Sequence, residues 1–193
     1  MTPLLAVPNV SEGRDAAVLD AIGAAFESAG ARLLDRHADP DHHRAVFTLT
    51  GEPGRLAQAV MAGARTAVER IDLRRHEGAH PRVGALDVAP IVHLDHETRG
   101  AACAEALVLA DALSHELGLP VYLYGILAGG RTRAELRRGG PQALIERIAP
   151  DYGPRRSHPT AGAVLVAARP PLIAFNVELA PPATLADARA IAA

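Results

Sequence analysis

The order in which apolar and amphipathic segments follow one another constrains this fold more than any single motif. From Leu4 to His93 the order is strand, helix, strand, strand, helix, strand. LLAV, residues 4–7, is a short apolar strand halted by Pro8 and the turn-rich NVSEGR. From Asp15, Val18, Ile22 and Phe26 recur at helical spacing, and Gly30 stands where a C-cap glycine ends a helix. ARLLDRHA and AVFTLTG, joined by DPDHHR, predict a hairpin-like pair of strands. Leu56, Val60, Ala64 and Val68 then line one face of a second helix over 55–72. ALDVAPIVH stays apolar through Pro90, which cannot donate to a ladder, so an edge position or a bend is expected there. This order predicts an α+β fold: one mixed β-sheet with helices packed mainly on one face.

The second half continues with a long helix over 98–118, the strand VYLYG, and two short helices, TRAELRR and PQALIERI. The loop DYGPRRSHPTAG and the strands AVLVAA and LIAFNVEL follow. ATLADARAIAA then opens a helix with Thr184 as N-cap, Asp187 three residues on, and Leu185, Ala188 and Ile191 on one face. No stop signal precedes Ala193. The expected organisation is one subdomain over 1–180, with 181–193 beginning a linker or helix toward a missing C-terminal subdomain.

Charge and composition remove several functions. A formal net charge of −2 provides no basic field for nucleic acid, and three Phe, three Tyr and no Trp provide no base-stacking platform. No apolar run approaches the roughly 18 residues of a membrane span. The lone Cys103, with an N-terminus lacking the basic and apolar regions of a signal peptide, predicts a reducing, cytoplasmic setting.

The stretch HEGAHPRVG, residues 76–84, carries His76, Glu77 and His80 at the spacing of a zinc-protease motif. That chemistry needs both histidines on one helical turn. Gly78 lies between them, and Pro81 pushes His80 out of the α region, so a zinc hydrolase is the disfavoured alternative and no metal is expected. His80 is then either an ordinary loop histidine or an acid/base group, since imidazole titrates near neutrality. His37, Asp39, Asp41, His42 and His43 also look like a metal cluster, but a turn between two strands scatters side chains to different faces.

VPNVSEGRD (7–15), LLDRHADPDHHRAVFTLTG (33–51), RRHEGAHPRVGALDVAP (74–90), PVYLYG (120–125), APDYGP (149–154) and LIAFNVEL (172–179) together resemble the glutamate formimidoyltransferase family. The resemblance runs from Val7 to about Leu179 and covers the ferredoxin-like N-terminal subdomain alone. It implies transfer of the formimino group from N-formimino-L-glutamate to N5 of tetrahydrofolate, a step of histidine degradation that gives 5-formimidoyltetrahydrofolate and L-glutamate. Tetrahydrofolate is the implied co-substrate, held in a tunnel between two subdomains whose sheets face each other. The implied catalytic residue is His80. The implied folate loop is Gly153, Pro154, Arg155, Arg156, Ser157, His158, Pro159, Thr160, Ala161 and Gly162. Arg155 and Arg156 are either carboxylate ligands for the folate tail or solvated charges. Asn9, His37, Arg44 and Arg82 are the implied substrate contacts. Asp87 is expected to be a structural or orienting carboxylate, and Cys103, mid-helix with no neighbouring base, a small buried hydrophobe. The expected partner is a second copy or a C-terminal subdomain, and the face it covers should be apolar. A folate-binding or dimerising half, inactive alone, is the alternative.

Overall fold

The computed structural model describes residues 2–173 and 179–191. The strand expected in LIAFNVEL falls largely on 174–178, outside the described residues.

The first four strand positions form the ferredoxin-like core. Pro8 splits the first position into β1 (Leu4–Ala6) and β2 (Asn9–Val10), followed by α1 (Ala16–Ser28), β3 (Arg32–Asp39), β4 (Arg44–Gly51), α2 (Leu56–Arg70) and β5 (Leu86–Val92). β1 and β2 lie between β4 and β5, antiparallel to both, and β3 pairs with β4 at the outer edge. The Asp15 carboxylate caps α1 by accepting from Ala17 and Val18, and Gly30, at φ 97°, follows its last turn.

Beyond β5, α3 (Arg99–Leu117) crosses to β6 (Val121–Leu123). The chain returns through α4 (Arg133–Arg137) and α5 (Gly140–Arg147) to β7 (Val164–Arg169), which inserts between β5 and β6 and runs parallel to both. Parallel crossovers are right-handed, so reversing the direction of travel moves the connecting helices to the opposite face. α1, α2 and α3 accordingly bury Phe26, Val60, Leu109 and Leu113 against Leu4, Phe47, Leu49 and Ile91 on one face. Leu136 of α4 and Leu144 and Ile145 of α5 cover Val88, Tyr122, Leu165 and Ala167 on the other. The three longest helices share one face, as the sequence predicts.

Among the described residues the second face is covered only where α4 and α5 reach. Along β4, Ala45, Phe47 and Leu49 are buried, whereas Arg44, Val46, Thr48 and Thr50 are half-buried. The open face mixes Val46 with threonines and the exposed Asp35 and His37, so the expectation of an apolar face holds only in part. α6 (Leu185–Ile191) has the Thr184–Asp187 cap read from the sequence, and its Leu185 and Ile191 are exposed.

β5 is not an edge strand. Pro90 lies inside the sheet, and its carbonyl accepts from the Val7 N–H. The return bond, from residue 90 to the Val7 carbonyl, has no donor because proline has none. The Asn9 side-chain amide supplies it instead, at 2.7 Å. Four residues earlier the β2–β5 register slips between Leu86 and Val88, and Asp87 becomes a bulged residue turned toward the second face.

Candidate active site

Three loops meet at the end of the sheet where β4 and β5 begin. His43, at φ 48°, turns the β3–β4 connection. Its ring nitrogen accepts from the Gly13 N–H, and its carbonyl accepts from His76 Nε2 at 2.9 Å. Gly78 lies so close to that turn that a Cβ would stand 2.6 Å from the His42 carbonyl. Arg82 binds the loop from within, donating to the His76 carbonyl at 2.7 Å. Gly84 then enters β5 with no room for a side chain, since a Cβ there would lie 1.7 Å from the Ala163 oxygen. The loop holding His80 is therefore braced on both sides.

His80 faces a cavity of about 930 Å³ lined by Asn9, Arg44, Pro81, Arg133, Arg137 and Arg138, among others. Below it lies the fully buried carboxylate of Asp87. Its Oδ2 accepts from Arg44 at 2.9 Å and from Arg137 at 2.5 Å, and its Oδ1 accepts from the Val83 N–H at 2.7 Å. A buried carboxylate needs such partners, because desolvation would otherwise neutralise it. Arg44 also donates to the Asn9 side-chain oxygen Oδ1 and approaches His80 Nδ1 at 3.2 Å. Burial, and then the positive charge of Arg44 and Arg137, push the His80 imidazole down to about 4. It is neutral at physiological pH. Four guanidinium groups against one carboxylate leave the cavity strongly attractive to anions.

Asn9, Arg44 and His80 of the sequence-derived set thus converge. Arg82 lines an adjoining cavity with Pro81 and Arg137. His37 stands exposed on β3, two strands from Asn9 across Val46. The loop Gly153–Gly162 borders a separate cavity, where Arg156, Ser157, His158 and Pro159 meet the end of α3. Within it His158 Nδ1 accepts from the Ala161 N–H, and burial lowers its titration. Arg155 and Arg156 are exposed. Asp87, expected to be a structural or orienting carboxylate, is buried and pairs with Arg44 and Arg137.

Arg133, Arg137 and Arg138 were not among the residues singled out from sequence. Their only local signal is a capped helix, Thr132 with Glu135, carrying arginines four apart, and that pattern also describes a solvated face. The backbone over 76–80 is not helical, and the two imidazoles have different partners. Among the described residues no group of three or more His, Cys, Asp or Glu is placed to hold a metal ion. His42 pairs with Asp39, while His43 meets Glu12 and Gly13, so that cluster is scattered. No described helix is long and apolar enough to cross a membrane.

A ferredoxin-like sheet places a histidine at the mouth of an arginine-lined cavity. The model of the formiminotransferase domain, N-terminal subdomain, matches residues 4–169. The chain belongs to that family. It is 41% identical over 182 residues to a glutamate formimidoyltransferase of Streptococcus pyogenes serotype M1, covering 90% of this chain and 61% of that protein. A Rattus norvegicus formimidoyltransferase-cyclodeaminase is 41% identical over 186 residues, 90% of this chain and 34% of its own. A Thermoplasma acidophilum glutamate formimidoyltransferase is 38% identical over 185 residues, 90% of this chain and 60% of its own. The chain therefore spans about three-fifths, or one-third, of these relatives.

Proposed function

We propose that this chain supplies the histidine-bearing wall of a glutamate formimidoyltransferase, acting with a C-terminal subdomain that closes the open face of β1, β3 and β4. The observation that carries this reading is the neutral His80 in a cavity lined by Arg44, Arg133, Arg137 and Arg138. N-formimino-L-glutamate brings two carboxylates, and guanidinium groups are suited to hold them. The reaction joins N5 of tetrahydrofolate to the formimino carbon and breaks the bond from that carbon to the glutamate nitrogen. N5 loses a proton as it bonds, and the departing nitrogen gains one. His80 is the group suited to carry that proton. In this reading the Gly153–Gly162 loop holds the folate, with Asn9, His37, Arg44 and Arg82 on the donor side.

A second reading has its own support. No described helix roofs β3 and β4 beside the cavity, and an open half-site loses the positioning and water exclusion that such catalysis needs. On that reading the chain binds folate and is inactive alone. One experiment separates the two: 5-formimidoyltetrahydrofolate formation by this chain, with and without the C-terminal subdomain of the Streptococcus pyogenes relative. Turnover that falls by about 10²–10⁴-fold in His80→Ala, with folate affinity within a few-fold, supports the first reading. Folate binding without turnover by the chain alone supports the second, and near-unaltered turnover in His80→Ala removes His80 from the chemistry.

A further inference from the structure

Nδ1 of His80 is already occupied. Arg44 Nη1 lies 3.2 Å from it, and a guanidinium can only donate, so Nδ1 accepts and the neutral ring carries its proton on Nε2. Arg44 is itself held. The same Nη1 donates to Asp87 at 2.9 Å, and Nη2 donates to Asn9 Oδ1, whose amide end is fixed on the Val7 carbonyl. Asp87 in turn is fixed by the Val83 N–H and by Arg137. The constraint on the imidazole therefore runs from the β5 bulge through one guanidinium. Among the described residues the side-chain hydrogen bond to the ring is the one to Nδ1, the Pro81 backbone also lies beside the ring, and His80 lines the cavity.

We propose that Arg44, seated by Asp87 and Asn9, is the positioning residue that sets the proton on His80, keeping Nδ1 occupied and leaving Nε2–H as the ring's free hydrogen-bonding group. The proposal rests on the reading above only in treating His80 as catalytic. It has a chemical consequence: the ring as held can donate a hydrogen bond from Nε2, and it can accept a proton only at Nδ1 once Arg44 has been drawn away. The groups facing the ring are Arg44 of β4, Asp87 of β5, Arg137 of α4 and His42 of the β3–β4 turn, whose ring centroid is 6.1 Å away. Two cations against one carboxylate leave the imidazolium disfavoured.

The test is ¹⁵N NMR of the chain carrying labelled histidine, with His80 assigned by the signal lost in His80→Gln. The expected spectrum at neutral pH has an unprotonated Nδ1 and a protonated Nε2, with a titration midpoint about one pH unit or more below the ordinary value near 6.5. Arg44→Met should raise that midpoint by about one unit or more and mix the tautomers, whereas Arg44→Lys, which keeps the charge, should hold the midpoint low. An unaltered chain whose His80 carries its proton on Nδ1, or titrates near the ordinary value, overturns the proposal without any variant. So does a folded Arg44→Met protein with an unchanged His80 midpoint and tautomer. No turnover is measured, so failure here is distinct from failure of the formimino-transfer reading.

Discussion

One row of paired residues crosses the whole sheet: His37, Val46, Asn9, Val88, Leu165 and Tyr122. The two halves of that row have opposite surroundings. Leu165 and Tyr122 are fully buried between α3 on one side and α4 and α5 on the other. Val46 is half-buried and His37 exposed, because no described helix covers β3 and β4 on that face. Asn9 and Val88 stand at the boundary, and so does Asp87. The contrast explains where the candidate site sits. A carboxylate can organise two arginines strongly only where water is excluded, and an imidazole can meet a substrate only where access remains. The boundary between a dry half and an open half offers both within a few ångströms.

The sharpest way to break that comparison is to remove the boundary carboxylate. Asp87→Ala leaves Arg44 and Arg137 without their buried partner, and unfolding free energy by urea denaturation should drop by about 3–5 kcal/mol. A loss below about 1 kcal/mol would mean that the two halves are not tied together there. Next come matched truncations on the two sides. Leu165→Ala should cost about 2–5 kcal/mol, and Val46→Ala under about 1 kcal/mol because solvent already reaches it. Equal losses would erase the distinction between the halves.

Acidification should produce a smaller effect. His80 and His76 both titrate below the ordinary histidine value, chiefly through burial, so the fold favours their neutral forms. Their contribution is fully present above the unfolded value of about 6.5, and it is lost as pH falls through the folded value, about 4 for His80. The urea midpoint should therefore decline over that interval, and His80→Gln should flatten the decline. The smallest effect belongs to Arg155→Ala with Arg156→Ala, two exposed side chains whose removal should change stability by less than about 0.5 kcal/mol. If they hold a folate carboxylate tail, folate affinity falls while the urea midpoint stays put.

The elements of the fold were legible because their signals are local. The repeat of Val18, Ile22 and Phe26, the glycine at 30, and the strand-like run AVFTLTG each report on a few neighbouring residues. Pro81 likewise told that the histidine before it leaves helical space, and the loop is not helical. What stayed hidden depends on contacts far apart in the chain. No local pattern announces that β7 inserts between β5 and β6, so nothing in TRAELRR separates an arginine set over a buried carboxylate from an ordinary wet helix face. Pro90 misled for the same reason: the donor that replaces its missing hydrogen comes from Asn9, more than eighty positions earlier.

That replacement reaches into the candidate active site. If Pro90→Ala restored an ordinary ladder hydrogen bond to Val7, the fold would gain a backbone contact, yet the Asn9 amide would be released and free to rotate away from Arg44. A gain in thermal robustness would then come with a less faithfully aimed guanidinium, a trade between durability and accuracy set by a single absent hydrogen atom.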